Sequence, residues 1–370
     1  GGRDSSALLH ATLAAADELG ISVLALHVHH GLSPHADAWL AHCARQCDRW
    51  RAQGRAVQFD ARRLEGQPAR GESVEAWARR GRYAALREMA LAHGASLVLL
   101  AHHAQDQAET FLLQALRGAG VAGLSAMPQL AERDGITWAR PWLRGEAAAV
   151  AAYARRHRLR HVEDDSNADT RFARNRLRLA VWPALEGAFL QAASALGDTA
   201  AWAQEARTCA DALAGIDLAR VAPGAALDIA AWRVLEPVAR RSNALRAWLR
   251  AQTGGAPPAR LVARLLDELP GAAPAQWTCG RASLRRYRGR LRVHAEAPSV
   301  DAEAARAEAF ALGRCGSYRA PGWGGRLVVR RVAAGGVARS CLAQLRLAAR
   351  SGGEQFQSAP GRPPRSLKKC

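Results

Sequence analysis

Lysine is almost absent from this chain of 370 residues, which contains only Lys368 and Lys369. A phosphate loop of the Walker type needs a lysine in Gly-Lys-Ser/Thr, so the sequence excludes that kind of nucleotide site. A Schiff-base lysine in the main body of the chain is excluded for the same reason. Any phosphate-binding turn here must therefore use backbone N–H groups and short side chains.

The sequence also lacks paired cysteines and long apolar runs. Its seven cysteines form no Cys-x-x-Cys motif, so neither a zinc ribbon nor a redox dithiol is indicated. Cys43 and Cys47 lie one helical turn apart beside His42 and could ligate a metal, but buried reduced thiols are favoured. No apolar run approaches the ~20 residues that span a bilayer, and no signal-peptide pattern is visible. We expect a cytoplasmic protein with no membrane partner.

The net charge of +19 is distributed unevenly along the chain. Residues 310–370 contain twelve Arg or Lys and one acid, Glu354. Such a segment suits a polyanion, because each phosphate that it neutralises releases counterions. A solvated basic surface in an arginine-rich protein is the alternative, and composition alone does not separate the two.

The first residues have the character of a phosphate-binding turn. Gly1, Gly2, Arg3, Asp4 and Ser5 lead directly into a helical pattern. Glycine lets the backbone approach a phosphate closely, and the first N–H groups of a helix have no intrahelical acceptor. The helix dipole also favours an anion at this end.

Helical patterns and apolar runs alternate from residue 1 to about 185, with strands predicted over 21–28, 56–59 and 97–101. Unbroken apolar strands separated by helices favour an α/β fold, with a parallel sheet covered by helices on both faces. Ligands of such sheets lie beyond the carboxyl ends of the strands. We therefore expect the loops at 29–33 and 102–107 to meet the glycine turn at one site.

Three domains are predicted from these patterns. The α/β catalytic domain covers 1–187, a mainly helical domain covers 188–300 with a hairpin over 282–294, and a small, basic α+β domain covers 301–370. A helical linker over 301–309 opens the third domain, and a strand-like stretch follows over 326–332.

Several polar groups lie at the predicted strand ends. Asp106 and Glu109 stand one turn apart at a helix start, where two acids either hold Mg²⁺ on a triphosphate or cap the helix. Nearness to a phosphate turn favours the metal. For the histidines around 27–30 and 102–103, including His29 and His102, nucleotide contact ranks above metal ligation because no definite ligand spacing is present.

An arginine cluster follows four acids in the segment 163–178. Its arginines near the probable helix are Arg171, Arg174, Arg176 and Arg178, and Asn175 lies among them. Arginines near a helix N-terminus are disfavoured by the dipole, so their presence points to phosphate contacts, with either ATP or RNA as the ligand.

Taken together, the motifs resemble the tRNA(Ile)-lysidine synthetase branch of the N-type ATP pyrophosphatases. The glycine turn is similar to the Ser-Gly-Gly-x-Asp-Ser loop of that superfamily without its leading serine. Further similar segments lie at 27–33, 75–83, 101–110, 117–120, 163–167 with 174–176, and 350–354 with 365–369. The family pattern is expected to begin before Gly1 and to continue past Lys369.

The resemblance implies an enzyme that uses ATP and Mg²⁺ to join free L-lysine to the wobble cytidine of isoleucine tRNA with a CAU anticodon. It implies ATP binding by residues Gly1–Ser5, His29 and His102, with Asp4 and Asp106 as catalytic residues that position Mg²⁺. Arg174 and Arg176 would contact phosphate, the basic C-terminal segment would hold the tRNA body, and a homodimer stays open as an alternative to a monomer.

One departure and two rival functions qualify this prediction. Gln105 stands where the family often has an acid, so Asp106 would act alone or with Asp4 on the metal. A tRNA thiolase on the same scaffold commonly uses paired cysteines, which this chain lacks. A non-catalytic tRNA-binding relative would bind tRNA without consuming ATP.

Overall fold

A computed structural model describes residues 1–31, 33–69, 73–271, 273–295, 308–323, 325–333, 337, 339–343, 345–347, 355–357 and 365–366. By its internal contacts the chain divides into two compact units, Gly1–Leu213 and Ala214–Cys370. Each unit has its own hydrophobic core. The predicted domain boundaries at 187/188 and 300/301 stay predictions.

The first unit alternates helices and strands. Its helices are α1 Arg3–Leu19, α2 Ala36–Ala52, α3 Val74–Ala92, α4 Ala104–Ala115, α5 Val121–Leu124, α6 Ala147–Arg156, α7 Ala173–Arg176, α8 Trp182–Ala188 and α9 Ala192–Val221, the last of which continues into the second unit. A 3-10 turn covers Asp165–Ala168, and one π turn over Leu177–Val181 joins α7 to α8. Its strands are β1 Val23–His29, β2 Val57–Arg63, β3 Leu97–Leu99, β4 Leu130–Arg133 and β5 Ile136–Ala139.

Parallel pairing confirms the predicted α/β class. Strand β1 pairs with β2 from Val23 opposite Val57 onward, and β3 pairs in parallel with β5. Strand β4 adds an antiparallel edge to β5 through Asp134 and Gly135, whose φ angles are +52° and +80°. This Asp-Gly hairpin was not predicted, although the dipeptide is a strong turn signal because both central residues need positive φ.

Small and apolar side chains hold the helices that carry the site. Ala7 of α1 is fully buried against Val150 and Ala154 of α6, so the two helices approach closely at small residues. Helix α3 packs Leu86 and Met89 onto the sheet. Helix α1 ends at Gly20 in the left-handed conformation that glycine favours.

The second unit is built on a mixed set of helices and antiparallel strands. Its further helices are α10 Ile229–Arg233, α11 Val238–Thr253, α12 Ala259–Glu268 and α13 Arg339–Leu342. Its strands are β6 Leu227–Asp228, β7 Ala275–Cys279, β8 Ala282–Tyr287, β9 Arg290–Ala295, β10 Glu308–Phe310, β11 Gly316–Ala320, β12 Gly325–Val329, β13 Leu345–Leu347, β14 Gln355–Phe356 and β15 Arg365–Ser366. A 3-10 turn covers Pro321–Trp323.

A four-stranded sheet in the order β6-β9-β8-β7 forms the centre of this unit. The predicted hairpin is confirmed as β8 and β9, which turn at Arg288 and Gly289 with φ angles of +49° and +70°. The predicted strand-like stretch over 326–332 is confirmed as strand only up to Val329, the end of β12, and residues 330–332 are not in a strand. The predicted helical linker over 301–309 falls mostly outside the described residues, and its described end is strand β10 rather than helix.

No single helix among the described residues is long and apolar enough to cross a membrane, although the bent pair Ala173–Ala188 and Ala192–Val221 passes the same test of length and composition.

Candidate active site

The N-termini of α1 and α4 meet at His103, which precedes α4. Its Nε2 lies 3.8 Å from Asp4 Oδ2 and 3.5 Å from Asp106 Oδ2. The His103 side chain is 5% exposed, so both contacts are shielded from water. The two predicted catalytic acids are thus brought to the same histidine, as expected for loops at the carboxyl end of a parallel sheet.

The glycine turn presents free N–H groups at the start of α1. The first helical hydrogen bond is donated by Ser6 N–H to Gly2 O over 3.0 Å, which leaves the N–H groups of residues 3–5 without an intrahelical acceptor. Apart from its chain neighbours, no described atom lies within 4 Å of the position that a Cβ on Gly2 would occupy, so there is open space beside this glycine at the start of α1. A helix of 17 residues adds its dipole.

Gly1 supports this turn through close packing rather than open space. A Cβ at position 1 would lie 2.9 Å from Cys43 Sγ and 3.1 Å from Val162 Cγ2. The Gly1 carbonyl accepts a hydrogen bond of 2.9 Å from Val162 N–H. The chain therefore needs glycine at this position for packing, whereas Gly2 keeps the approach to the helix open.

Two arginines bind the acid pair of α4. Arg178 donates from Nε to Glu109 Oε1 over 2.7 Å, and Arg174 donates from Nε to Glu109 Oε2 over 2.9 Å. Both also donate to Asp106 Oδ1, over 3.0 Å and 3.1 Å. The acids are three residues apart on one helix and the arginines four apart on another, so each pair lies on one helical face. Glu109 is fully buried.

Asp106 also caps its own helix. Its Oδ2 accepts a hydrogen bond of 3.1 Å from the backbone N–H of His103. Burial raises the pKa of Asp106, but His103, Arg174 and the cap hydrogen bond outweigh it and hold the pKa below its ordinary value. Asp106 is therefore an ionised carboxylate whose two oxygens already have partners. Capping, one of the two sequence alternatives, is present in the structure, and the metal role of Asp106 stays a prediction.

The remaining members of the arginine cluster bind nearby groups of their own segment. Arg171 forms an ion pair of 2.7 Å with Asp169, Asn175 donates to Asp169 O over 3.0 Å, and Arg176 donates to Thr170 O over 3.2 Å. Their side chains thus shape the loop that precedes α7. Contact of Arg171, Arg174, Asn175, Arg176 or Arg178 with ATP or RNA stays a prediction.

The two predicted ATP-binding histidines differ in environment. His29 is 3% exposed, accepts a hydrogen bond of 3.1 Å from Gly31 N–H at Nδ1, and places Nε2 3.2 Å from Asp37. It therefore holds the loop after β1. His102 has a buried Nδ1 with no hydrogen-bond partner among the described residues. Burial lowers the pKa of His102 to about 3, so its imidazole is neutral at working pH.

The structure adds Arg82 and Arg140 to the predicted residues. Burial lowers the pKa of Arg82, with further repulsion from Arg79 and Arg174, and Arg82 has no ion pair or hydrogen bond with any described residue. Arg140 is buried and donates to Pro128 O over 2.9 Å, while its Nε has no hydrogen-bond partner in the described part of the chain. Both arginines lower the pKa of His102, so their positive charges lie near this imidazole and form a cationic cluster with each other.

Two comparisons with known proteins decide the family. The PP-loop domain family matches residues 1–185, and the family described as the TilS substrate binding domain matches residues 227–292. The chain is 43% identical over 382 residues to the tRNA(Ile)-lysidine synthase of Ralstonia nicotianae, covering 100% of this chain and 81% of that one. The chain belongs to the tRNA(Ile)-lysidine synthase family.

Other members of the tRNA(Ile)-lysidine synthase family agree over the same length. The relative from Burkholderia pseudomallei is 41% identical over 416 residues, again with 100% of this chain and 81% of the relative covered. Among solved structures, the U34-tRNA thiolase NcsA from Methanococcus maripaludis aligns with 55% of this chain and 69% of its own, at 12% identity and a TM-score of 0.48. The assignment to the lysidine synthase family rests on the sequence matches.

The residues fit the ATP that a PP-loop domain binds. The free N–H groups of α1, the open space beside Gly2 and the cationic cluster of Arg82 and Arg140 are all suited to phosphate. Mg²⁺ is commonly held by one or two carboxylates together with phosphate oxygens, and Asp4 and Asp106 supply that donor set. Asp4 Oδ1 accepts a hydrogen bond of 2.8 Å from Arg3 Nε. The other carboxylate oxygen, Oδ2, contacts only His103 among the described residues.

Protein side chains alone do not form a metal centre in the described part of the chain, where no group of three or more His, Cys, Asp or Glu is suitably placed. Cys43 Sγ lies 3.6 Å from His27 Nδ1, and Cys47 is buried. Burial raises the pKa of the Cys47 thiol to about 11. Cys47 is therefore a buried thiol, as expected, whereas Cys43 is only partly buried.

Gln105 fills a structural role at the position of the departure from the family pattern. Its Nε2 donates to Glu109 Oε1 over 3.2 Å. An acid in its place would face a fully buried carboxylate, and like charges one turn apart repel. The amide is therefore well matched to a site in which Glu109 is charged.

Proposed function

We propose that this chain joins L-lysine to carbon 2 of the wobble cytidine of isoleucine tRNA with a CAU anticodon, using ATP. The product, lysidine, changes the codon read from AUG to AUA. The observation that carries this proposal is the meeting of Asp4 and Asp106 at His103, beside the free N–H groups of α1, in a chain of the lysidine synthase family.

The first step activates the cytidine. Its carbon-2 oxygen attacks the α-phosphorus of ATP, the bond to the β-phosphate oxygen breaks, and pyrophosphate leaves. The N–H groups at Gly1–Ser5 and the side chain of Arg82 are the donors that would stabilise the charge on the departing pyrophosphate. The neutral imidazole of His102 would line the nucleotide pocket without adding charge, and His29 would hold the loop beside it.

The second step transfers lysine. The ε-amine attacks carbon 2, the bond from carbon 2 to the adenylate oxygen breaks, AMP leaves, and the nitrogen loses a proton. Because a free amine has a pKa of about 10.4, the site must bind lysine in its uncharged form or remove the proton there. Holding the amine close to carbon 2 supplies much of the rate enhancement.

A bound Mg²⁺ would offset the charge of the triphosphate. Asp4 and Asp106 are the residues that would hold it, together with phosphate oxygens. Arg174 and Arg178 form ion pairs with both Asp106 and Glu109, which orients the acid pair, and Arg174 helps to keep Asp106 ionised. Arg171, Arg174, Asn175, Arg176 and Arg178 border this site from the segment that precedes α8, where tRNA phosphates would pass.

The substrate tRNA would also contact the second unit, which carries the substrate-binding family match, and the basic C-terminal segment. A cytoplasmic location fits a tRNA substrate. Both a monomer and a homodimer are compatible with this chemistry, and sedimentation of the pure protein distinguishes them.

Lysidine formation is tested with the full chain, the tRNA transcript and labelled lysine. We expect label to enter the tRNA only when ATP is present, with one pyrophosphate released for each lysine incorporated. Sulfur transfer from a persulfide donor without lysine uptake would establish the thiolase alternative. Binding of tRNA without ATP consumption would establish the non-catalytic alternative.

A further inference from the structure

A buried amide lies next to Asp106 on α4. Gln107 follows the acid directly, and its side chain is 4% exposed. Burying a neutral polar group costs free energy unless the group is hydrogen-bonded, and an apolar side chain of similar size would fill the same position without that requirement. An amide at this position is therefore explained by its hydrogen bonds rather than by packing.

Both polar atoms of the Gln107 amide bind the backbone of one residue, Met127. Gln107 Nε2 donates to Met127 O over 2.9 Å, and Met127 N–H donates to Gln107 Oε1 over 3.0 Å. The two bonds fix the orientation of the amide, because its nitrogen only donates and its oxygen only accepts. Helix α4 is thereby joined at two points to the segment between α5 and β4.

A second amide binds the same segment from α9. Gln204 Nε2 donates to Ser125 O over 2.8 Å and to Met127 O over 3.0 Å. The Ser125 hydroxyl adds a bond of 3.2 Å to Ala203 O. Met127 O accepts from both glutamines, so both of its lone pairs are used. Gln107, Ser125, Met127 and Gln204 form an amide clamp that joins α4 to α9.

The amide clamp holds a strained backbone position. Ala126 has a φ angle of +45°, in the left-handed region that alanine rarely adopts. Such a conformation persists where the surrounding contacts determine it, and it recurs at functional sites. Here the residues on either side, Ser125 and Met127, are bound by the two glutamines. The clamp therefore fixes one backbone path between α4 and α9.

The amide clamp and the arginines hold the start of α4 from different directions. Arg174 and Arg178 bind Asp106 and Glu109, whereas the clamp binds Gln107 between them. Successive residues of a helix are rotated by about 100°, so the two sets of contacts lie on different sides of α4. Together they restrict both rotation and translation of this helix.

We propose that Gln107 and Gln204 are positioning residues of lysidine formation, which hold Asp106 in its reactive position by clamping α4 to α9. This inference rests on the proposed function, in which Asp106 acts on the triphosphate. Displacing a reacting group by about 1 Å lowers a rate by about 100-fold. Gln204 has this effect from a different helix, through the backbone of Ser125 and Met127.

The test replaces each amide with an apolar side chain of similar length. Gln107→Met and Gln204→Met lose the hydrogen bonds of the amide clamp, and Tyr153→Phe is the control, since it loses one hydrogen bond of 2.9 Å with His10 elsewhere in the first unit. All three variants are compared with wild type at a temperature where circular dichroism shows that they are folded.

We expect kcat for lysine incorporation to fall about 10- to 100-fold in Gln107→Met and Gln204→Met, with KM for ATP and for tRNA within about threefold of wild type. Tyr153→Phe should keep its kcat within about twofold. A folded Gln204→Met variant with the kcat of wild type would overturn the proposal, and so would a loss of the same size in the control.

Acid rescue separates positioning from a general loss of stability. The carboxylate introduced by Gln204→Glu has no hydrogen to donate to Ser125 O and Met127 O, whereas the protonated carboxyl group has one. Partial burial beside two carbonyl oxygens should raise the pKa of this group. The ratio of its kcat to that of wild type should therefore rise as the pH falls from about 8 to about 6, while the ratio for Gln204→Met stays constant. A constant ratio in both variants would overturn the role of the hydrogen bonds.

Hydrogen exchange tests the amide clamp without turnover. We expect the backbone N–H groups of α4 to exchange at least about tenfold faster in Gln204→Met than in wild type, and those of Tyr153→Phe to exchange at the wild-type rate. Unchanged exchange of α4 in Gln204→Met would overturn the proposal. A wild-type chain that forms no lysidine would contradict the proposed function, and faster exchange of α4 in Gln204→Met would still establish the clamp.

Discussion

Arg178 donates a hydrogen bond of 2.7 Å to Glu109, a carboxylate with no solvent exposure. The pair joins α4 to the helical segment that contains α7 and the π turn. Since Arg174 binds the same carboxylate, the acids of α4 are neutralised from one side by two guanidinium groups. This arrangement holds the start of α4, and with it His103 and Asp106, in place.

Replacing Glu109 with Gln should destabilise the first unit by about 3 kcal/mol, because two guanidinium groups lose a buried counter-charge. Urea denaturation followed by circular dichroism measures the change. Asp48→Asn is the matched control, since it breaks an exposed ion pair of α2 with Arg51 and should cost less than about 1 kcal/mol. Equal losses for the two variants would show that burial does not strengthen the Glu109 contacts.

Alanine at Gly1 and at Gly2 should have different effects. Gly1→Ala places a Cβ 2.9 Å from Cys43 Sγ, so it should lower the free energy of unfolding by about 1–3 kcal/mol, as overpacking usually does. The methyl group of Gly2→Ala meets nothing within 4 Å and should leave stability unchanged, yet it adds bulk at the residue that precedes the α1 donors. We expect its KM for ATP to rise about tenfold or more, measured by ATP–pyrophosphate exchange.

The opposite pattern would contradict the placement of the triphosphate. If Gly2→Ala bound ATP normally and Gly1→Ala did not, the phosphates would lie on the Cys43 side of the turn. Gly1→Ala combined with Cys43→Ala separates packing from binding, because removing Sγ relieves one of the two close contacts.

The fold of the first unit could be predicted from its sequence because local patterns determine most of it. Unbroken apolar strands and helix ends at glycine were visible without knowledge of any partner. The Asp134-Gly135 hairpin was missed although its signal is local. The β6 and β7 strands could not be recognised, since β6 is two residues long and depends on pairing with β9.

The location of the candidate site could be predicted from the sequence, but the hydrogen-bond partners of its side chains were harder to predict. Arg174 and Arg178 were assigned to phosphate because the sequence does not show that they reach Asp106 and Glu109, more than 60 residues earlier. The sequence did contain a signal that Arg82 is unusual. Arg82 lies three residues before Ala85 and four before Leu86, so it shares the buried stripe of α3 with them, and a charged side chain at such a position needs an explanation.

Stability should fall as the pH decreases below neutrality, with His102 contributing. Burial lowers its pKa to about 3 in the folded state, against 6.5 in an unfolded chain, so the unfolded state binds the proton first. The contribution is complete above pH 6.5 and is lost between pH 6.5 and 3, at no more than about 1.4 kcal/mol per pH unit. His102→Asn should flatten this dependence in urea titrations at several pH values.

His27 provides the comparison for that measurement. Burial lowers its pKa to about 4, so the His102→Asn variant keeps a residual decline of the same sign. An unchanged pH dependence in His102→Asn would show that this imidazole is not the group that titrates. Burial also lowers the pKa of His10, His30 and His42, so a decline that remains after His27 is replaced as well is expected from these side chains.

Arg82 should be needed for catalysis but not for folding. Its charge is desolvated beside Arg79 and Arg174, and no described residue forms an ion pair with it, so Arg82→Gln removes repulsion and should leave the free energy of unfolding unchanged or raise it. If Arg82 donates to phosphate, kcat/KM should fall about 10- to 100-fold, the loss of one charge-assisted bond of about 1.5–3 kcal/mol. Arg45→Gln, at an exposed position of α2, should change neither quantity. A destabilised Arg82→Gln variant that kept its kcat/KM would instead make Arg82 a structural residue. Arg140 would then have to bind the phosphate in its place.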